Sequence, residues 1–390
     1  MCCRSLQALI LLLALSFPSH HLVAQTGSSG GADNQSKWII SSGSVPHLPA
    51  GSMLSLALAL ERGAEAIWLD LVLSKDDQIV LLSDTRIDQL TDVTEIYPDR
   101  SRPDGNYYSF DFTLEELRGL SLQSTGGSKS FNGAPFPKSH LSVTSLDDFL
   151  AYMELVSGDL SSPPTLICTL KHGWRHKQEN KDLGMVVVKA LENYLAGSGA
   201  ASLMIGSYDP EELQQIAQSV ASDHSEDISF IQLIASDEGQ EVQRLEFGTY
   251  QPYSYDLLFT RFGLKSVSTY AHSIGLDPEA VMDESGALSQ PRFLDDARAL
   301  GLQVVCCRVD SLPSDLALTG SGPEAMFEYL LFTIGFDGIV TSNDLIARQW
   351  LDTRATAGGD RQNEIIERLI DRVEESGSEP PARLQSDTTM

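Results

Sequence analysis

Cysteine is scarce in this chain, with five in 390 residues, and two of them, Cys2 and Cys3, stand at its extreme start. The other three, Cys168, Cys306 and Cys307, are too few and odd in number for a dense disulfide framework. They are expected to be buried free thiols rather than a Cys168 bridge to Cys306 or Cys307, and the adjacent pair should point to opposite faces of its strand. Basic residues are also few, 27 Lys and Arg against 54 Asp and Glu, for a net charge of −27. That balance argues against nucleic acid and anionic membranes as partners and leaves cations or a basic extracellular protein. The apolar stretch Leu6 to Phe17 is shorter than the roughly 20 residues that span a bilayer. Preceded by Arg4 and followed by a polar stretch, it has the layout of a secretory signal peptide over residues 1–24. Its removal would leave 26 basic against 54 acidic residues, a charge of −28, on a secreted, monomeric chain with no membrane span.

Residues 25–37 are mostly small and polar, a flexible leader holding an Asn-X-Ser sequon at Asn34, the expected glycosylation site. From Trp38 short apolar runs recur: "WIISSG", "AIWLDLVL", "QIVLLSD", "TLICTLK", "SLMIGSY", "ISFIQLIAS", "LQVVCCRV" and "DGIVTSN". Amphipathic segments lie between several of them, including 52–62, 182–195, 210–218, 292–300 and 323–334. Eight strands alternating with helices predict an α/β fold, a closed TIM (β/α)8 barrel over 38–354. An open doubly wound sheet is the alternative, but no Gly-rich phosphate loop follows any strand. An insertion of about 88–142 separates the third run from the fourth, and within it Thr113 should cap a helix carrying Glu115 and Glu116 in its first turn. Residues 355–390 form an acidic, largely disordered tail in this reading.

Read in order, "GAEAIWLDLVLSKDDQIVLLSDTRIDQLTDV", "YPDRSRPDGNYYSFDFTLEEL", "HGWRHKQENKDL", "SYDPEELQQI", "YSYDLLF", "YAHSIGLDPEAV" and "GFDGIVTSNDLIARQWL" resemble the glycerophosphodiester phosphodiesterase family, in its exported, bacterial-type branch. The resemblance implies a TIM barrel that cleaves glycerophosphodiesters to sn-glycerol 3-phosphate and an alcohol. It further implies two histidines for proton transfer, an arginine and a lysine that hold phosphate, and a divalent metal, Ca²⁺ or Mg²⁺, bound by acids on strand ends.

Carried over residue by residue, that machinery is depleted. Where the family has His-Arg-Gly after its first strand, this chain has Ser41, Ser42 and Gly43. Ala50 follows Leu48 and Pro49 where a glutamate is implied, and the Glu-X-Asp of the second strand reads Trp68, Leu69, Asp70. The His-Asp pair becomes Ser83 and Asp84, and Glu-X-Lys becomes Thr169, Leu170, Lys171. Serine does not shuttle protons at neutral pH, and one carboxylate is too few for a hard divalent cation. No catalytic residue and no metal or other cofactor is therefore expected, with Ca²⁺ or Mg²⁺ only if a residual site works. Asp70, Asp84 and Lys171 are the ligand-binding candidates, with a structural Asp–Lys salt bridge in place of the metal as the preferred reading. His47, His172 and His176 lie in loops at the expected mouth, where solvated surface histidines are the ordinary case.

The resulting expectation is a secreted pseudoenzyme with a binding or structural role. Two rivals are a hydrolase that uses substitute residues and a carrier that holds a glycerophosphate-like molecule or lipid headgroup without cleaving it.

Overall fold

A computed structural model describes residues 37–355, apart from 46–47, 124–129, 132–133, 136–140, 159, 161, 198–201, 221–226, 236–240, 284–285 and 313–321. The expected signal peptide, the leader through Ser36 with Asn34, His47 and the tail beyond residue 355 lie outside these described residues. The compact unit begins at Lys37.

Eight parallel strands form a closed barrel: β1 (Trp38–Ser41), β2 (Ala66–Leu73), β3 (Thr165–Leu170), β4 (Leu203–Ser207), β5 (Ile228–Ile234), β6 (Ser273–Leu276), β7 (Gln303–Cys306) and β8 (Gly338–Thr341). Ring closure comes from β1, which pairs with β8 through Trp38↔Gly338 and with β2 through Ile40↔Ala66. Both faces of the strands are buried, inside by barrel side chains and outside by helices, which is why they read as near-continuous apolar runs.

The helices start where the sequence places caps. Ser52 accepts from the backbone of Ser55 ahead of helix Met53–Glu61, and Asp209 accepts from Glu211 and Glu212 ahead of Pro210–Ser219. Thr113 and Glu116 make the reciprocal capping box of helix Leu114–Arg118. The segment 323–334 is helical from Pro323 to Glu328 and then widens into a π turn at Tyr329–Ile334.

Two strand assignments change. The third apolar run supplies Ile79–Leu81, which pairs antiparallel with β2 (Val72↔Val80) and stays outside the barrel. Its place in the ring is taken by β6, Ser-Ile-Gly-Leu, whose serine and glycine leave only two large apolar side chains and no apolar run. The turn between β2 and Ile79–Leu81 is tight, with Asp77 at φ 57, so the chain folds back as a hairpin.

The insertion that follows has its own small core of Val72, Val80, Ile87, Phe112, Leu117 and Val143 among others. Arg102 ties it to the barrel, pairing with Asp111 inside the insertion at 2.7 Å and with Glu179 beyond β3 at 2.6 Å. The rim beside the mouth is thereby fixed from two sides. Cys168, Cys306 and Cys307 are free and buried, as the odd count predicted.

Candidate functional site

In a (β/α)8 barrel, side chains at the C-terminal strand ends and the loops beyond them form the mouth. On β2, Trp68 and Asp70 are two residues apart and share a face. The indole Nε1 of Trp68 donates to Asp70 Oδ1 at 2.9 Å, and Trp68 itself is buried. Burial pushes the Asp70 carboxyl above the usual carboxylate range, while nearby Lys171 and the Trp68 hydrogen bond pull the other way.

Lys171, directly after β3, is only 7% exposed. Its ammonium is paired with Glu241, beyond β5, and stands 4.8 Å from the ring centroid of Tyr208. Burial works against the charge, but Glu241 and Asp70 outweigh it and hold the ammonium protonated well beyond neutral pH.

His172 takes a left-handed backbone at φ 49 and turns inward. Its Nε2 is 3.3 Å from Asp84 Oδ1 and its Nδ1 is 3.6 Å from Glu241 Oε2. For Asp84 burial opposes ionisation, yet the His172 hydrogen bond and charge overcome it and set the carboxyl far below its ordinary range. Asp70, Lys171, Glu241, His172 and Asp84 therefore form one electrostatic chain across the mouth, anchored at one end by Trp68.

Asp277, directly after β6, closes the far side. It accepts from the Tyr208 hydroxyl at 3.3 Å and faces Arg308 Nη1 at 3.5 Å. Burial raises its carboxyl to about 6, against the pull of Arg308 and Lys171.

The structure brings Asp70, Lys171 and Asp84 into this mouth, but with different partners from those expected. Lys171 pairs with Glu241 rather than with an aspartate, and Asp84 pairs with His172. The two histidines expected to be solvated are buried: His172 is 6% exposed and His176 is 0% exposed. His176 Nε2 accepts from the backbone N–H of Leu73 at 3.0 Å and its Nδ1 faces the His172 carbonyl at 3.2 Å. Burial lowers its ring to about 4, so it is a neutral structural group joining β2 to the short helix Gly173–Gln178 after β3, not the loop residue expected.

Ser42 is hydrogen-bonded to Ser44 at 2.8 Å. The hydroxyls of Ser41 and Thr169 are buried and have no hydrogen-bond partner among the described residues. A small cavity persists beside Trp68, lined by Ser42, Ala50, Asp70 and Ser83 among others, so the indole narrows this space without filling it. Gly43 is needed beneath it, since at φ +65 a Cβ would come within 2.5 Å of the Trp68 carbonyl oxygen.

Three mouth residues escaped the sequence. Glu241 is one acid of several in "SDEGQEVQ", and nothing in that run marks which one turns inward. Asp277 stands directly after β6, which went unrecognised, and Arg308 stands two residues past β7, in the run "LQVVCCRV", where nothing marked it as a mouth residue.

The positions where the family resemblance implies a metal hold Ala50, Trp68, Asp70 and Thr169. Their single carboxylate already accepts from an indole, and a hard divalent cation takes six or more oxygen ligands. The residues present do not fit that metal. Among the described residues no group of three or more His, Cys, Asp or Glu side chains is arranged to hold a metal ion.

A closed parallel barrel with a cluster of ionisable groups at its mouth defines the class, a TIM-barrel protein. Residues 41–343 match the glycerophosphoryl diester phosphodiesterase family. The glycerophosphodiester phosphodiesterase of Haemophilus influenzae is 28% identical over 241 residues, covering 60% of this chain and 66% of that protein. The Treponema pallidum protein of the same name is 27% identical over 243 residues, covering 60% and 68%. The alignments thus span about two thirds of the length of these relatives.

Among solved structures, a putative glycerophosphoryl diester phosphodiesterase of Silicibacter pomeroyi superposes with a TM-score of 0.54 at 16% identity, covering 81% of this chain and 94% of that one. An Oleispira antarctica phosphodiesterase, solved with the product sn-glycerol 3-phosphate, superposes with a TM-score of 0.53 at 14% identity, covering 81% and 96%. The chain belongs to the glycerophosphoryl diester phosphodiesterase family.

Proposed function

We propose that this chain is an exported member of the family that does not hydrolyse phosphodiesters and serves, as a monomer, in extracellular binding or structure. The observation that carries the proposal is the Lys171–Glu241 ion pair, flanked by the Trp68–Asp70 hydrogen bond. The ammonium retained from the family's phosphate-holding pair is engaged by an internal carboxylate. The one retained metal-site carboxylate is engaged by an indole. Lys171 is already committed to Glu241, with Asp70 and Asp277 adding negative charge around it, so a phosphodiester would have to displace an internal ion pair to reach it.

Proton transfer is missing too. Ser41 and Ser83 stand at the histidine positions, and His172, which among the described residues lies inside the mouth, has a carboxylate facing each ring nitrogen. Loss of a single general acid–base group lowers rates by about 10²–10⁴-fold, and here both are replaced. Export rests on the signal-like residues 1–24, and the high acidic charge suits association with cations or a basic partner.

The test is phosphorus NMR of glycerophosphocholine incubated with the purified chain and Ca²⁺, Mg²⁺, Mn²⁺ or Zn²⁺ in turn. The expected spectrum is unchanged from buffer. Release of sn-glycerol 3-phosphate that disappears in Asp70→Ala would overturn the proposal in favour of substitute catalytic groups.

A further inference from the structure

Among the described residues, five of the nine exposed large apolar side chains fall within one short stretch: Leu245, Phe247, Tyr250, Leu257 and Phe262. Three of them sit on a hairpin, Gln243–Glu246 paired antiparallel with Thr249–Pro252, which forms its own two-stranded sheet apart from the barrel.

The hairpin turn has Phe247 at φ 49 and Gly248 at φ 84. Two positive φ values in a two-residue loop call for Asn, Asp or Gly at the first position. A bulky ring there is conformationally unfavourable. Phe247 is also fully exposed, at 106%, so its ring gives no packing energy back to the fold. A side chain that opposes its own turn and contacts nothing inside is explained by a contact outside.

Leu245 stands opposite Tyr250 across the hairpin, and the Tyr250 ring lies 5.4 Å from that of Trp174, just beyond β3. This contact fixes one hairpin face at the mouth rim. Leu257 and Phe262 flank the start of helix Arg261–Val267, the helix end that also lies at the mouth in a barrel of this type. The charge of this shelf differs from that of the whole chain. Residues 243–265 carry Arg244, Arg261 and Lys265 against Glu246 and Asp256, and Arg244 is ion-paired with Asp209 and Glu211, so the shelf is close to neutral in a chain of −27.

We infer that this shelf docks the protein on the surface of a zwitterionic phospholipid bilayer, with the barrel mouth turned towards the headgroups. Apolar side chains that project from two separate elements suit a fluid surface, which each enters independently. A rigid protein partner would require a continuous complementary face. Rings with one polar edge, such as Tyr250, fit the depth of headgroups. A locally neutral face lets an acidic chain approach lipid without repulsion, and the same overall acidity disfavours anionic lipid. The inference does not depend on whether the mouth retains any chemistry.

Flotation of the full chain with phosphatidylcholine vesicles tests it. Phe247→Asn, which suits the turn better and should fold at least as well, is expected to lower the bound fraction about tenfold. Leu155→Ser, an equally surface-level change at an 80% exposed position elsewhere, should leave it unchanged. Absence of flotation, flotation insensitive to Phe247→Asn, or preference for phosphatidylglycerol vesicles would overturn the inference. So would a dimer in solution that Phe247→Asn dissociates, since that would make the shelf a self-association face.

Discussion

Lys171→Met should destabilise the protein by about 3–5 kcal/mol at pH 7, the usual effect of removing one partner from a buried ion pair. The loss arises less from the missing attraction than from what is left behind. Glu241 loses its ammonium, Asp70 and Asp277 lose a charge that favours their ionised forms, and the Tyr208 ring loses the cation packed on it. With Met of similar length in the same slot, little of the effect comes from a cavity. Urea denaturation is the measurement, and the melting temperature should fall by roughly 10 °C on the usual scale for large domains. Glu241→Gln added to Lys171→Met should recover part of the loss, because one orphaned charge is then neutral. If Lys171→Met instead unfolds at the wild-type urea concentration, the lysine is not the centre of the mouth.

Asp277→Asn should have the opposite sign. The folded carboxyl titrates at about 6 against an ordinary 3.8. Below about pH 3.8 the group is protonated folded and unfolded alike, and it carries no penalty. Between the two values the unfolded chain releases its proton more readily, so stability falls as pH rises, and above about 6 the penalty is complete. A shift of this size corresponds to about 3 kcal/mol at neutral pH. Asparagine keeps an oxygen for the Tyr208 hydroxyl and removes the charge, while Arg308 retains solvent contact. Stability should therefore rise by about 1–3 kcal/mol at pH 7–8, with the gain shrinking to nothing below pH 4. Urea midpoints across that pH range would show it. A gain that persists at pH 3.5 would assign the effect to packing rather than to ionisation.

The barrel was legible because its strands, buried on both faces, leave apolar runs that a single sequence displays plainly. Ile79–Leu81 and β6 exchanged roles for a physical reason. Apolar content marks burial, and the antiparallel strand Ile79–Leu81 is as buried as any barrel strand, whereas β6, Ser-Ile-Gly-Leu, offers only two large apolar side chains. The helix start at Thr113 was legible because capping is local.

The mouth divided differently. What stands at inherited positions, Ser41, Ala50, Trp68, Ser83 and Thr169, could be read by matching the chain to the motifs of the family it resembles. What compensates for those changes could not. Glu241 reaches Lys171 from a position 70 residues away, and only the closed barrel brings them together. The inward turn of His172 is likewise a matter of its left-handed backbone, which no local pattern announces.

The central claim is that the surviving charges of the mouth bind one another in place of phosphate and metal. Titration calorimetry with sn-glycerol 3-phosphate, with and without Ca²⁺ or Mg²⁺, tests it directly. The prediction is dilution heat alone up to millimolar ligand. A saturable heat at one site per chain, lost in Lys171→Ala under conditions where that variant remains folded, would contradict it.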